Sequence, residues 1–243
     1  MKRYLALFVA FSPFCKLRVF LYRYMLGYDI SWEARIAPFT IIIADHCKIE
    51  RAQIGPFNYL EATSLELAEG VVIGRLNRVK WLRLLRVGKN TSISSSNTMC
   101  GTRPGISPFK MLENVEIGSG CTITNRHSFD VSDEITMGHN VTVAGSGTQF
   151  WTHGFGINRV KIQARIAIGS NGYIGSRSIV VQGVSIADDV VIGAGTIVSR
   201  PITSGGFYVS AVLTRKGDIK DYSESFGVTV HDGYHFVRKE CEN

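Results

Sequence analysis

Along the middle of the chain the apolar positions recur every six residues, a spacing that neither a 3.6-residue helix nor a two-residue strand alternation produces. Ile168, Ile174, Val180, Ile186, Ile192 and Val198 are all aliphatic at that interval. Glycine repeatedly follows the aliphatic residue, as in Ile54-Gly55, Ile73-Gly74, Val87-Gly88, Ile117-Gly118, Ile168-Gly169 and Ile192-Gly193. Small or modest residues stand four after it, among them Asn58, Thr91, Cys121, Ser178 and Thr196. Such a unit reads as a short strand followed by a corner. Three units close a coil of about 18 residues, and stacked coils bury each aliphatic residue between its copies above and below. The pattern therefore predicts an all-β solenoid over residues 31–202.

The period also locates its own interruptions, where function is to be sought. One insertion falls near 98–113, in the Gly- and Pro-containing stretch between Asn97 and Glu113, and a second near 154–161, between Gly154 and Lys161. Beyond Pro201 the period ends, leaving 203–243 as a C-terminal extension rich in Gly, Tyr and charge.

Residues 1–30 have a different character. Tyr4 to Phe14 is an apolar stretch behind Lys2 and Arg3, but it is broken by Pro13 and far shorter than the roughly 20 residues a membrane span needs. Cys15-Lys16-Leu17-Arg18 is a poor cleavage site, so secretion is not expected. Leu17, Phe20, Leu21, Tyr24 and Met25 then recur at helical spacing beside Lys16, Arg18 and Arg23, up to Gly27. Two readings of this amphipathic helical segment stay open: peripheral contact of residues 1–26 with an anionic membrane, or packing of the apolar stripe on the rest of the protein.

Composition narrows the classes. With 45% hydrophobic residues, 19% charged and 25 glycines, the chain is neither disordered, collagen-like nor a coiled coil. Twenty-seven Lys and Arg against 20 Asp and Glu favour an anionic partner. Nucleic acid is not expected, because no motif for it occurs and the basic residues are spread out. Arg75, Arg78, Lys80, Arg83 and Arg86 surround Trp81 as either a docking surface or a solvated basic face. Five scattered cysteines without a CxxC suit reduced thiols and a cytoplasmic location, with the inner membrane face as the place a bilayer-bound N-terminus would give it.

No GxSxG-like elbow exists, so covalent catalysis is unsupported. The segment MGHNVTVAGSGTQFWTHG (137–154) and the stretch IGSNGYIGSRSIVVQGVSIADDVVIGAGTIVSRPI (168–202) resemble the hexapeptide-repeat acyltransferases, whose fold is a left-handed parallel β-helix. The resemblance covers about residues 31–202. It implies acetyl-CoA as co-substrate, no metal, and a homotrimer with active sites at the seams between subunits. It implies His153 as the catalytic base, a role the chemistry requires: a hydroxyl is too weak an acid to attack a thioester at neutral pH unless a neutral imidazole takes its proton.

By the same resemblance Asn125, His127, Asp130 and Trp151 are candidates for acceptor contact, the first three standing at comparable corners one to two coils before His153. A corner hydrogen bond is the alternative for His127. Tyr173 would border the cofactor groove, Ser176 and Ala194 would line the pantetheine arm, and Ser199 with Arg200 would stand where the family has a Thr-Lys pair. After the last coil the usual Gly-x-Pro segment is replaced by Ser210-Ala211-Val212-Leu213-Thr214-Arg215-Lys216, which keeps the positive charge of Arg215 and Lys216 for the nucleotide.

The implied function is O-acetylation of a sugar hydroxyl in surface polysaccharide or lipopolysaccharide synthesis. N-acetylation of an amino sugar is the alternative. A zinc hydratase resembling γ-class carbonic anhydrases would need His127, His139 and His153 together, yet the position where that family has a further histidine is Ala144. A non-catalytic β-helix scaffold would show no effect from losing His153.

Overall fold

The computed structural model describes residues 2–155, 160–210 and the two strands Phe226–His231 and Tyr234–Lys239. From Asp29 to Tyr208 the chain winds as the expected parallel β-solenoid. One face, here face two, is a nine-stranded sheet that takes a single strand from each coil. Faces one and three merge into a 14-stranded sheet, because Tyr59–Leu67 and Arg78–Val87 each run unbroken around the edge between them.

The six-residue period resolves into three buried columns. Face one stacks Ile30, Ile49, Leu67, Val87, Ile117, Met137, Ile168 and Ile186 in register. Face two stacks Ile36 through Ile54, Ile73, Ile93, Ile123, Val143 and Ile174 to Ile192. Face three runs from Ile42 through Leu60, Val79, Met99, Phe129, Phe150 and Val180 to Val198. Phe129 and Phe150 stack with ring centroids 4.5 Å apart, filling the middle of the prism.

Between faces two and three the corner turns through a left-handed residue in successive coils, at Phe39, Phe57, Leu76, Ser96, Arg126, Gly147, Arg177 and Gly195. Just inside this corner runs a buried polar ladder. The Asn77 N–H donates to Asn58 Oδ1, the Asn97 N–H to Asn77 Oδ1 and the His127 N–H to Asn97 Oδ1, each at 2.9 Å. The small polar residues of the repeat thus satisfy corner amides that the strands leave unpaired.

The first coil has no coil beneath it, and its open backbone edge needs partners. The N-terminal segment supplies them as two helices, α1 (Lys2–Ala10) and α2 (Cys15–Leu26). Tyr22 Oη accepts the Ile42 N–H at 3.1 Å and donates to Thr40 O at 2.9 Å. Tyr28 Oη accepts the Ala44 N–H at 2.9 Å, and Arg18 Nε donates to Ile36 O at 2.9 Å. Burial pushes the Tyr28 hydroxyl up to about 12, so it stays neutral as an acceptor.

The apolar stripe read from α2 is divided. Val19 and Tyr22 enter the core and Leu21 packs against it, whereas Leu17, Phe20, Tyr24 and Met25 remain exposed. The first interruption is shorter than the lost period suggested and the second longer. Thr98–Gly101 is still a coil strand, so the first insertion spans 102–113 with one 3-10 turn at Lys110–Leu112. The second begins as an antiparallel pair, His153–Phe155 with Lys161–Gln163. Past residue 202 the solenoid continues, since Gly206–Tyr208 adds a last strand to face two. Residues 211–243 form a separate unit, in which Phe226–His231 and Tyr234–Lys239 pair as an antiparallel hairpin. Among the described residues no helix is long and apolar enough to cross a membrane.

Candidate active site

Both insertions leave the prism at the edge between faces three and one. The first is anchored at its base by a buried carboxylate. Glu113 pairs with Lys110 and accepts the Thr102 N–H at 3.0 Å, while Lys110 Nζ also donates to Thr102 O at 2.9 Å. Gly101 is required there: a Cβ would come within 2.4 Å of Trp81 O and 2.5 Å of Glu113 Oε2.

Between the two insertions, Asp130 and Trp151 lie in register on neighbouring coils. Two residues past Trp151 the chain turns the edge, and His153 Nδ1 reaches Asp130 Oδ1 at 2.7 Å. An ionised carboxylate only accepts, so Nδ1 carries the proton and Nε2 of the neutral ring keeps its lone pair. Ser132 Oγ donates to Asp130 Oδ1 at 3.3 Å and accepts from Lys161 Nζ at 2.9 Å. Phe155 packs edge-to-face on the His153 ring, with centroids 5.4 Å apart. The imidazole is therefore held on two sides and remains partly open to solvent, with 18% of its side chain exposed. Trp151 is turned outward, its Nε1 donating to Gln149 Oε1 at 2.9 Å.

The other acceptor candidates lie elsewhere. Asn125 is at the corner between faces two and three, where its Oδ1 accepts the Ser95 N–H at 3.0 Å. His127 is buried inside that same corner as a rung of the polar ladder and makes the corner hydrogen bonds of its alternative reading. Its Nδ1 accepts the Thr148 N–H at 3.1 Å, which makes Nε2 the donor to Thr124 Oγ1 at 2.9 Å. Burial lowers its pKa to about 4. His139 Nδ1 accepts the Ser119 N–H at 3.0 Å at the third edge, between faces one and two. One chain thus holds His127, His139 and His153 at three different edges, which does not assemble a zinc site within it.

The cofactor candidates divide between two edges. Tyr173 is exposed on face two. Ser176 and Ala194 stand at the corner between faces two and three, where the coils approach so closely that a Cβ on Gly145 would lie 1.7 Å from Ser176 Oγ. Ser199 and Arg200 are exposed on the edge that carries His153. Arg215 and Lys216 lie outside the described residues. A wide groove of about 900 Å³ is found at the helical end instead, between α2 and face two, lined by residues including Lys16, Arg35 and Gln53. It holds no base paired with a carboxylate and is not the candidate centre.

Sequence reading reached His153 and Asp130 separately but missed their pairing, together with Ser132 and Lys161. The signal for the pair was the coil length: from Asp130 to Trp151 is one turn of the solenoid, which returns the chain to the same edge.

No known protein-family pattern matches the chain. Over 171 residues, 70% of this chain, it is 28% identical to the bifunctional protein GlmU of Marinobacter nauticus, of which it covers 33%. Over 81 residues, 33% of this chain, it is 35% identical to galactoside O-acetyltransferase of Escherichia coli, of which it covers 39%. The chain thus spans well under half the length of these relatives. The crystal structure of the hexapeptide-repeat-containing acetyltransferase VCA0836 from Vibrio cholerae superposes with a TM-score of 0.40 at 21% identity, over 57% of this chain and 75% of that one. In repeat and in sequence, the chain is similar to hexapeptide-repeat acetyltransferases.

Because the buried His127 refuses a proton that the unfolded chain accepts, stability is full above about pH 6.5 and falls as the pH drops toward about 4. Urea unfolding at successive pH values checks this. His127→Asn, which restores the side chain used at Asn97, should remove that component of the pH dependence.

Proposed function

We propose that the protein transfers an acetyl group from acetyl-CoA to a sugar hydroxyl, with His153 as general base. The observation that carries this reading is the 2.7 Å contact from His153 Nδ1 to Asp130, which leaves Nε2 as the proton acceptor on an edge flanked by both insertions. Asp130 orients the ring and stabilises the imidazolium that forms when Nε2 takes the hydroxyl proton. The freed alkoxide character attacks the thioester carbonyl, and the imidazolium returns its proton to the departing thiolate of coenzyme A. Surface polysaccharide or lipopolysaccharide is the acceptor class, and galactoside O-acetyltransferase among the relatives supports transfer to a sugar oxygen.

Ser176 and Ala194 make a low corner against which a pantetheine arm can lie, and Arg200 offers a cation for its phosphates. In one chain that corner is a whole face away from His153. The separation supports a seam site in a homotrimer, where the corner of one copy faces His153 of the next.

His153→Ala should leave the melting temperature unchanged and lower release of free coenzyme A, assayed with a panel of sugar acceptors, by about a hundredfold or more. Asp130→Asn should lower kcat by about tenfold or more with KM unchanged. Wild-type turnover in His153→Ala would remove it from the mechanism.

Co-expression of His153→Ala with Ser176→Trp, each inactive alone, separates a seam site from one within a single chain. A seam draws its two halves from different copies, so about a quarter of the seams in a random mixture should regain both. No recovery in mixed trimers would place the whole site in one chain.

A further inference from the structure

The two N-terminal helices are apolar on both sides. α1 turns Ala6, Val9 and Ala10 onto the first coil and leaves Tyr4, Phe8 and Phe11 exposed at 80%, 65% and 64%. Phe14, in the link to α2, is 70% exposed. On α2, Leu17, Phe20, Tyr24 and Met25 extend the same outward surface. A helix that is apolar all round is ordinarily covered all round, and a contiguous patch of this size marks a contact surface.

The charges that the two helices themselves carry are of one sign. Residues 1–28 contain Lys2, Arg3, Lys16, Arg18 and Arg23 and no Asp or Glu. Arg18 is buried, Lys2 pairs with Asp45 at 2.7 Å and Arg3 with Glu61 at the rim of the patch, and Lys16 is exposed beside the aromatic side chains. Lys16 also joins Arg35 along the groove next to α2. A two-fold contact between copies would set this basic surface against itself. An anionic bilayer meets both requirements, taking the aromatic rings at the headgroup boundary and the cations at the phosphates.

We propose that the exposed face of α1 and α2 docks on an anionic membrane, with the solenoid standing away from it. Ile43, Glu61, Lys80, Cys100, Asp130 and Trp151 occupy successive coils of one edge, so His153 lies five coil steps beyond the first coil. At about 4.8 Å per step that is roughly 24 Å further from the bilayer. Phe39, Phe57 and Leu76 continue the apolar surface up the corner between faces two and three. On the reading of His153 as base, the acceptor hydroxyl reacts at that height; the docking itself does not depend on that reading.

The test mixes the full chain with vesicles of phosphatidylcholine, with or without phosphatidylglycerol, and follows sedimentation. Association with the anionic vesicles is expected, weakened by about tenfold or more in Phe8→Asp/Phe14→Asp, whose exposed positions leave the melting temperature unchanged. With brominated lipids, Phe8→Trp should add a strongly quenched emission, whereas the emission lost in Trp151→Phe should be unquenched. Absence of binding to anionic vesicles, equal binding by the double variant, or quenching of Trp151 would overturn the proposal. So would an oligomer that the double variant dissociates, which would give the face to a second copy.

Discussion

Every strand of this solenoid finds its hydrogen-bond partners on the coil before and the coil after, never within its own coil. That constraint locks each coil in register with its neighbours and makes side chains one turn apart neighbours in space. Three aliphatic columns, a polar ladder inside one corner and rows of outward side chains follow from it. Changes in chain length are tolerated only at corners, where no strand pairing is lost, and both insertions leave from one such edge. The same constraint leaves the first coil with unpaired amides and carbonyls. Tyr22, Tyr28 and Arg18 close them, which ties the helical cap to the solenoid by chemistry as well as by apolar burial.

How much of this was legible depended on whether a feature repeats. Ile168 through Val198 declared the coil because each copy does the same job, and all six fall in the three columns. The strand at Thr98–Gly101 was hidden because its column residue is Met99 and the insertion follows directly. The α2 stripe was legible as helical spacing, with membrane contact and packing both left open. Helical spacing reports a face, and here both faces are apolar, so spacing alone could not say which one packs. His127 was a candidate by resemblance, with a corner hydrogen bond as the alternative. It occupies the rung that asparagine fills in the coils before it, and its ring nitrogen does the work of an amide oxygen.

The candidate site is a contact across coils rather than a motif along the chain. Asp130, read as a group for the acceptor, lies against His153, with Ser132 and Lys161 behind it. Such a pairing is set by the 21 residues of one coil, a number that varies from coil to coil and is fixed only once the register is known. The division of cofactor candidates between two edges has the same origin. Residues adjacent in the repeat sit on different sides of a prism, so a short stretch of sequence spreads over two edges.

The claim on which the functional account rests is that this chain binds coenzyme A. Calorimetric titration of the purified full chain with coenzyme A tests it without knowledge of the acceptor. The account predicts saturable binding that weakens in Ser176→Trp and Arg200→Ala and persists in His153→Ala. Absence of heat at millimolar cofactor, or binding indifferent to Ser176 and Arg200, would contradict it.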